Sequence, residues 1–404
     1  MANGLLVKRR QTGNNGSGVP GQNGSPADGE GQAPAPLVPF TRAARIKSQQ
    51  AYSGSFVIGA AAQQLPPIDV PSGGFVKYVD FDFVMTTAGN AAAVAFAADG
   101  PWSIIQSISV TNAAGNSIYV PITGYQWFLT NKYMAPGADP EFFDPRQEPY
   151  YSTTAGAGAT GGSFRCRLRL WFERDPRDAF LALPNMASNR QYKINIMLSP
   201  ETSVYTTTPT NDGTLAINAT AYYWSQPQPT NALGVAQQTA PLSNGGVGLI
   251  RVQTINLTPG DKTLKLENVG NIWRSAVFVL RTAASARTEA DLPATSWIRL
   301  NNDNLFWLTL QQWRRDMAQQ LGFTSATAEA ARGPDNGVLA WTHLNAQHGN
   351  VRCDGPRSQW LATLDATLLQ LQGTSFGATA ATLEVITDEI QVKDAAALYS
   401  LNVE

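Results

Sequence analysis

The only two histidines, His343 and His348, are followed closely by Cys353 and Asp354. This run supplies imidazole and thiolate, the ligand types of a zinc site. The spacing matches no compact zinc pattern, and the intervening Asn, Gln and Gly residues read as a loop, so no metal is expected. Asp80 and Asp82 alternate onto one strand face and offer the two carboxylates of a glycosidase. The plainer reading of that pair is a solvated or interface-facing strand. The G-x-S-x-G spacing occurs once, at Gly373–Gly377 around Ser375, but a strand pattern rather than a helix follows it, so it is not a nucleophile elbow that would employ a histidine. No P-loop pattern occurs, and the G-x-G-x-x-G spacing at 16–21 and 156–161 opens no helix pattern, as a dinucleotide-binding fingerprint requires. Residues 156–162 (GAGATGG) are glycine-rich but lack the lysine and the following helix of a phosphate loop. No catalytic residue and no cofactor is therefore expected.

Basic residues form two further constellations. Arg165, Arg167 and Arg169 share one face of an alternating segment, where they either bind an anion or pair with acidic residues of a neighbouring strand or subunit. The second is the plainer reading. Arg314 and Arg315, on the polar side of a predicted helix, carry the same two readings. The N-terminal fifty residues hold Lys8, Arg9, Arg10, Arg42, Arg45 and Lys47 against only Asp28 and Glu30. The whole chain has a net charge of −1, so it is not a globally basic nucleic-acid binder. A mobile basic cluster at Lys8–Arg10 attracts phosphate, on anionic lipid or on nucleic acid, and many copies would add avidity. The alternative is a solubilising tail.

These residues must be positioned by elements that the pattern makes legible. Residues 11–39 contain no aromatic residue and little to bury, so residues 1–50 read as a flexible basic arm. Residues 40–50 are either a short basic helix or an extended arm. Residues 53–58 are a first strand. Residues 75–85 alternate, with Val79, Phe81, Phe83 and Met85 facing one way and Tyr78, Asp80 and Asp82 the other. Residues 104–111 and 117–120 flank a turn at 112–116 (NAAGN). Residues 163–173 place Phe164, Cys166, Leu168, Leu170 and Phe172 opposite the three arginines. Strands at 191–199 and 215–224 follow, and residues 177–183 are a candidate helical turn capped by Asp175.

The chain then repeats itself. Apolar, tryptophan-bearing segments at 121–135 and 304–321 read as one helix in each half, with Trp127 and Trp307 180 residues apart. In the second segment Phe306, Leu310, Trp313, Met317 and Leu321 fall on one face of a 3.6-residue period, with Asp303 or Asn304 as the cap. Second-half strands are expected at 247–257, 271–281, 296–300, 337–344, 360–371 and 382–392. A period this long is not that of a solenoid or propeller. It predicts two tandem β-rich domains at 51–225 and 247–404, joined by a Pro/Gln/Gly-rich linker at 226–246. The fold class is all-β: two eight-stranded jelly rolls, each with an inserted helix. Trp127, Phe306, Leu310, Trp313 and Met317 are the expected structural core of those helices. Charged residues are 15% of the chain, below the ~25% of ordinary soluble proteins, as suits surfaces covered by neighbouring copies. Two isolated cysteines, Cys166 and Cys353, form no disulfide framework, and residues 1–10 hold no leader-length apolar run, so a reducing cytoplasm is the expected folding compartment. No apolar run is long enough to span a bilayer as a helix.

In this organisation, and in residues 98–133 (ADGPWSIIQSISVTNAAGNSIYVPITGYQWFLTNKY) and 373–390 (GTSFGATAATLEVITDEI), the chain resembles the double jelly-roll major capsid proteins of tailless icosahedral viruses with an internal membrane, of the tectivirus type. The first stretch has a Gly-Pro before a strand, a turn, a short strand and then a helix, as in the first roll of that family. The resemblance implies a homotrimer, in which two rolls per chain make a pseudo-hexagonal tile of a virion shell. It further implies other capsid proteins, such as a vertex penton, as partners, and an inward arm near membrane or genome. The arm departs from the family where relatives carry an N-terminal helix. Two other readings are a jelly-roll lectin or receptor-binding spike, with ligand at a loop cluster near Tyr150 and Tyr151, and a β-sandwich glycoside hydrolase built on Asp80 and Asp82.

Overall fold

The structure is a computed structural model that describes residues 37–87, 90–134, 151–154, 156–158, 160–241, 246–267, 269–321, 335–342 and 360–391. Its first half builds one antiparallel sheet in the order β1 (Ile46–Ile58), β14 (Gly213–Trp224), β4 (Gly74–Thr86), β10 (Phe164–Trp171) and β8 (Tyr151–Thr153), with β11 (Leu183–Asn185) also on β4. Facing it, β2 (Gln63–Gln64) and β3 (Ile68–Asp69) pair with β12 (Lys193–Leu198), which pairs with β6 (Ile105–Thr111) and then β7 (Ser117–Ile122). A small third sheet joins β13 (Tyr205–Thr207), β5 (Asn90–Phe96) and β9 (Gly156–Gly158).

The second half repeats the plan. One sheet runs β15 (Val247–Asn256), β23 (Ala380–Gln391), β17 (Ile272–Thr282) and β20 (Val338–Thr342), with β21 (Leu361–Ala362) beside β17. The other runs β16 (Gly260–Lys265), β22 (Leu369–Phe376), β18 (Thr295–Leu300) and β19 (Asp303–Thr309). Each half thus has two facing sheets built on four principal strands each, β1-β14-β4-β10 with β2-β12-β6-β7 and β15-β23-β17-β20 with β16-β22-β18-β19, in the same order of connections, and a helix between its fifth and sixth principal strands. This is the double jelly roll.

Alternation explains the sheets. Val79, Phe81, Phe83 and Met85 of β4 and Cys166, Leu168 and Leu170 of β10 all point into the first roll and are buried. The two strands are in direct register, Phe83 opposite Cys166 and Phe81 opposite Leu168. The Cys166 thiol is free and buried, and burial pushes its pKa up, so it behaves as a small apolar side chain. At the predicted turn, the Asn112 side chain accepts from the amides of Ala114 and Asn116, and Gly115 supplies the positive φ of 81°.

The helices begin with the same device. Gln126 N–H donates to Thr123 Oγ1, and Thr123 N–H donates back to Gln126 Oε1. Thr309 and Gln312 make the identical reciprocal pair. Both are capping boxes of the form T-x-x-Q, each followed by a tryptophan, Trp127 or Trp313. The helices span Gly124–Met134 and Leu310–Leu321. Gly124 is packed so closely on Trp102 that a Cβ would lie 1.9 Å from its carbonyl oxygen.

Several expectations need correction. The second helix does not begin at 304: residues 303–309 are β19, and Thr309 rather than Asp303 or Asn304 is the cap. Phe306 is therefore a strand residue opposite Ile298, packed edge-on to Trp341, and Trp307 points outward opposite Trp297. The four-residue step from Phe306 to Leu310 mimics a helical turn by coincidence. The structural counterpart of Trp127 is Trp313, 186 residues on, not Trp307. Residues 177–182 form turns around a bridge at Phe180, and Leu183 begins β11, because Ala179 and Leu181 adopt φ of 58° and 64°, which no helix accommodates. Asp175 still acts as a local cap, accepting from Arg177 N–H at 3.0 Å. The first strand starts at Ile46, after a one-turn helix at Phe40–Ala43. The expected strand at 360–371 divides into β21 and β22, and β16 was not anticipated.

Trp127 sits edge-on to Phe81 at 5.3 Å and Phe83 at 6.2 Å, and its indole N–H donates to the Arg169 carbonyl at 2.8 Å. Trp313 and Met317 are buried, with Trp313 edge-on to Phe278, and Leu310 is half-buried. Replacing Trp313 by alanine is expected to leave a cavity and cost about 3–5 kcal/mol. Chemical denaturation checks this, and unchanged stability would refute the packing described.

Candidate functional site: the seam between the rolls

The helix Gly124–Met134 carries Gln126, Thr130, Asn131 and Lys132, yet all of its residues are buried. Inside the first roll, Asn131 joins the helix to the sheet. Its Nδ2 donates to the Trp127 carbonyl at 2.8 Å and its Oδ1 accepts from Arg169 N–H at 2.9 Å. The Thr130 hydroxyl donates to the Trp127 carbonyl at 2.8 Å, while Lys132, Tyr133 and Gln126 reach the second roll. Lys132 is paired with Asp335, and the Tyr133 hydroxyl donates to the same carboxylate at 2.5 Å. Burial and the neighbouring carboxylate push the Tyr133 hydroxyl well above its ordinary pKa. Gln126 Nε2 lies 3.4 Å from Glu384.

Two ionic clusters flank this contact. Asp99 of the first roll accepts from Arg281 and Arg287 at 2.9 Å each, and Arg281 also reaches Glu384 at 2.7 Å. Both guanidinium groups lie over the Tyr125 ring, at 5.5 and 4.7 Å. On the other side, Arg174 of the first roll pairs with Asp388 at 2.9 Å and donates to the Tyr119 hydroxyl at 2.6 Å, while Arg274 takes the second oxygen of Asp388. Beside it lies a cavity of about 20 Å³, lined by Tyr119, Trp127, Arg169, Arg174, Ile250 and Asp388. That is room for about one water, far below the 300–1,000 Å³ of a typical small-molecule site. Among the described residues, this cavity is too small for a substrate, and the seam joins two surfaces.

The arginine stripe is neutralised within its own sheet. Arg165 makes a two-pronged pair with Asp82 at 2.9 and 2.7 Å. Arg167 binds Asp80 through Nε at 3.1 and 2.9 Å, and Arg169 Nε lies 3.6 Å from the same carboxylate. The arginines thus pair with acidic residues of a neighbouring strand, the plainer of their two readings, and that pairing occupies Asp80 and Asp82. Arg314 is likewise paired with Glu289.

The remaining predicted residues are placed as follows. Arg42, Arg45 and Lys47 are exposed on the one-turn helix and the start of β1. They are held there because Phe40 is buried against Phe75, Ala179, Ala182 and Trp224. Val38 pairs with the interdomain segment, donating to Ala236 O at 3.0 Å and accepting from Gln238 N–H at 2.9 Å. Lys8, Arg9 and Arg10 lie outside the described residues, as do His343, His348, Cys353 and the side chains of Tyr150 and Tyr151. Sequence reasoning missed the seam residues Lys132, Asp335, Arg174 and Asp388. The one available signal was a helix with apolar residues on every face, which must be buried all round. It also missed Glu173, which is fully buried, accepts from Trp224 Nε1 at 2.9 Å and lies 3.9 Å from Lys77. Burial raises its pKa to about 7, against the opposing pull of Lys77.

No protein-family model and no curated protein matches the chain. Solved structures do. PBCV-1 VP54, as fitted into a cryo-EM reconstruction of the virophage Sputnik, is similar with a TM-score of 0.59 and 11% identity over 86% of this chain and 93% of that one. A quasi-atomic model of the PBCV-1 virus capsid gives 0.55 and 12% over the same shares. The STIV MCP gives 0.55 and 10%, over 86% of this chain and 97% of that one. These are double jelly-roll major capsid proteins, and the likeness at such identities is one of fold.

Two outcomes follow from the geometry. Asp388→Asn keeps the side-chain shape but leaves Arg174 and Arg274 facing each other without their shared carboxylate, and should cost about 3–5 kcal/mol in urea unfolding. For Glu173, a raised native pKa means that the folded state holds the proton more tightly than the unfolded chain. Its contribution is fully present below the ordinary glutamate range and is lost as pH rises to about 7. Glu173→Gln, which preserves an acceptor for Trp224, should therefore gain on wild type across that window by at most about 3 kcal/mol. Parallel stability–pH curves for the two proteins would disprove the assignment.

Proposed function

We propose that the chain is a major capsid protein, a non-catalytic building block that assembles as a homotrimer and tiles an icosahedral virion shell. The observation that carries this reading is the doubled roll. Two copies of one eight-stranded plan, with the helix at the same point in each, are fused rigidly enough to share a buried seam. The fold is that of the capsid proteins to which the chain is similar. Three such chains present six similar rolls, the number that fills a hexagonal lattice position. The low charge content fits a subunit whose lateral faces are buried by its neighbours.

In this reading the boundaries are an arm at 1–50, a first roll at 51–225, a linker at 226–246 and a second roll at 247–404. Lys8, Arg9 and Arg10, with Arg42, Arg45 and Lys47, would face an anionic surface, the internal membrane or the genome. The anchoring of Phe40 beside the linker supports a fixed exit point for that arm. Vertex proteins of the shell would be further partners, with folding in the host cytoplasm and final residence in the virion. Light scattering of the purified protein tests the core of the proposal. A mass near three times 43.4 kDa, or closed particles, is expected. A monomer at all concentrations would overturn it.

A further inference from the structure

Beside the anchor of the N-terminal segment lies a buried carboxyl that takes no part in the seam. Glu173 follows β10, and its backbone N–H donates to the Lys77 carbonyl at 3.0 Å. One carboxyl oxygen accepts from Trp224 Nε1 and lies near Lys77 Nζ. The other, Oε1, is buried with no hydrogen-bond partner among the described residues. A neutral carboxyl tolerates such a site. A carboxylate does not, because a buried charge needs its lone pairs filled. The charges acting on Glu173 are Lys77 from β4 and, with opposite effect, Asp175 and Asp178 from the turn that follows. Asp175 is itself paired with Arg177. Trp224, at the end of β14, contributes its indole N–H, and Phe40–Ala43 holds no acidic residue and one base, the exposed Arg42.

The same neighbourhood walls the pocket of Phe40. Trp224 meets the Phe40 ring edge-on at 6.2 Å, and Phe75 does so at 5.3 Å. Ala179 and Ala182, on the turn that Asp175 opens, complete the pocket. Lys77 Nζ lies 4.7 Å from the centroid of the Trp224 ring. The segment has few other holds. Phe40–Ala43 is a single helical turn with no side-chain cap, and Phe40 is its only buried residue. Phe40 N–H donates to Gln238 Oε1 at 3.1 Å, and Thr41 Oγ1 donates to the Arg177 carbonyl at 3.2 Å. By contrast β4 and β14, which carry Lys77 and Trp224, are inner strands of their sheet. Local opening takes the part with the fewest buried contacts, so the cover that yields first is the helical turn with Phe40.

We propose that Glu173 is a proton-operated latch on the N-terminal segment: when its carboxyl ionises, Phe40 leaves its pocket and water reaches the carboxylate. Burial raises the Glu173 pKa to about 7, so the latch turns over near neutrality. Below the ordinary glutamate range the closed and open forms both hold the proton, and the closed form keeps its full advantage. In the open form the carboxyl returns to that ordinary range, so rising pH favours opening until about 7, where the closed form loses its proton as well. With trypsin as the probe, the open population should still grow roughly tenfold between about pH 6 and about pH 8. Residues 37–45, with Arg42 and Arg45, are thus held against the first roll in mild acid and freed in mild alkali, while the sheets and the seam keep their places. The latch is a property of the single chain, so it stands or falls apart from the self-assembly reading.

The test is limited proteolysis of the full chain by trypsin at those two pH values, with cleavage after Arg42 and Arg45 read by mass spectrometry. Each rate is divided by that of a synthetic peptide of residues 37–50 at the same pH, which removes the pH dependence of trypsin itself. Wild type should be cut roughly tenfold faster at the higher pH. Glu173→Gln, which keeps an acceptor for Trp224, should be cut slowly at both. Phe40→Ala, which removes the plug and leaves the carboxyl, should be cut quickly at both. Circular dichroism verifies that each variant folds, and Phe40→Ala decides the matter if Glu173→Gln does not. Wild-type cleavage that does not change with pH overturns the latch. So does an equal rise with pH in folded Glu173→Gln or in Phe40→Ala, or slow cleavage of Phe40→Ala at both pH values.

Discussion

A helix buried on all sides cannot leave its polar groups unpaired, and that constraint organises this protein. Gly124–Met134 closes the open flank of the first roll with Trp127 and Phe128, yet presents Gln126, Lys132 and Tyr133 on its far side. Unpartnered in an apolar environment, those groups would cost several kcal/mol. The second roll supplies Asp335 and Glu384 in the required places. The first roll is therefore complete only when the second is folded against it, and one apolar cluster runs through both.

The apolar and ionic parts of the seam do different work. Burial of Trp102, Trp127, Trp273 and their neighbours provides the stabilisation. The ion pairs add little net stability, because desolvating Arg174, Arg274 and Asp388 offsets most of their mutual attraction. What they add is discrimination. A sliding or rotated arrangement of the rolls would strand a guidinium or a carboxylate in the interior. Their contribution is a fixed angle between the two halves rather than a further increment of stability.

The same logic separates the two arginine-rich features. Arg165 and Arg167 sit where β10 crosses β4, and Asp82 and Asp80 neutralise them at the sheet surface. Such exposed or half-exposed pairs contribute little each, but they leave the outer face of the sheet close to neutral. A near-neutral, partly aromatic face is suited to contact with another protein. The exposed Arg42, Arg45 and Lys47 belong instead to the segment pinned by Phe40, on the stretch of chain that leads to the basic N-terminal cluster.

Much of the fold was determined by the sequence alone, wherever burial on one side of a regular element leaves a period. The alternation of Val79, Phe81, Phe83 and Met85 against Asp80 and Asp82 fixed β4, and that of 164–172 fixed β10, because a strand with one dry face must alternate. The doubled order of strands and helix was legible for the same reason. Tertiary structure decided what depends on partners far along the chain. Phe306 and Leu310 share a helical spacing, yet the pairing of β19 with β18 makes Phe306 a strand residue and hands the cap to Thr309. The polar face of the first helix was ambiguous until Asp335, 203 residues from Lys132, covered it. The carboxyl of Glu173 owes its raised pKa to its burial in the assembled fold, against the lowering pull of Lys77 and of the Trp224 hydrogen bond, and no local pattern announces that. Periodicity records which side of an element is dry; only the assembled fold determines what lies against it.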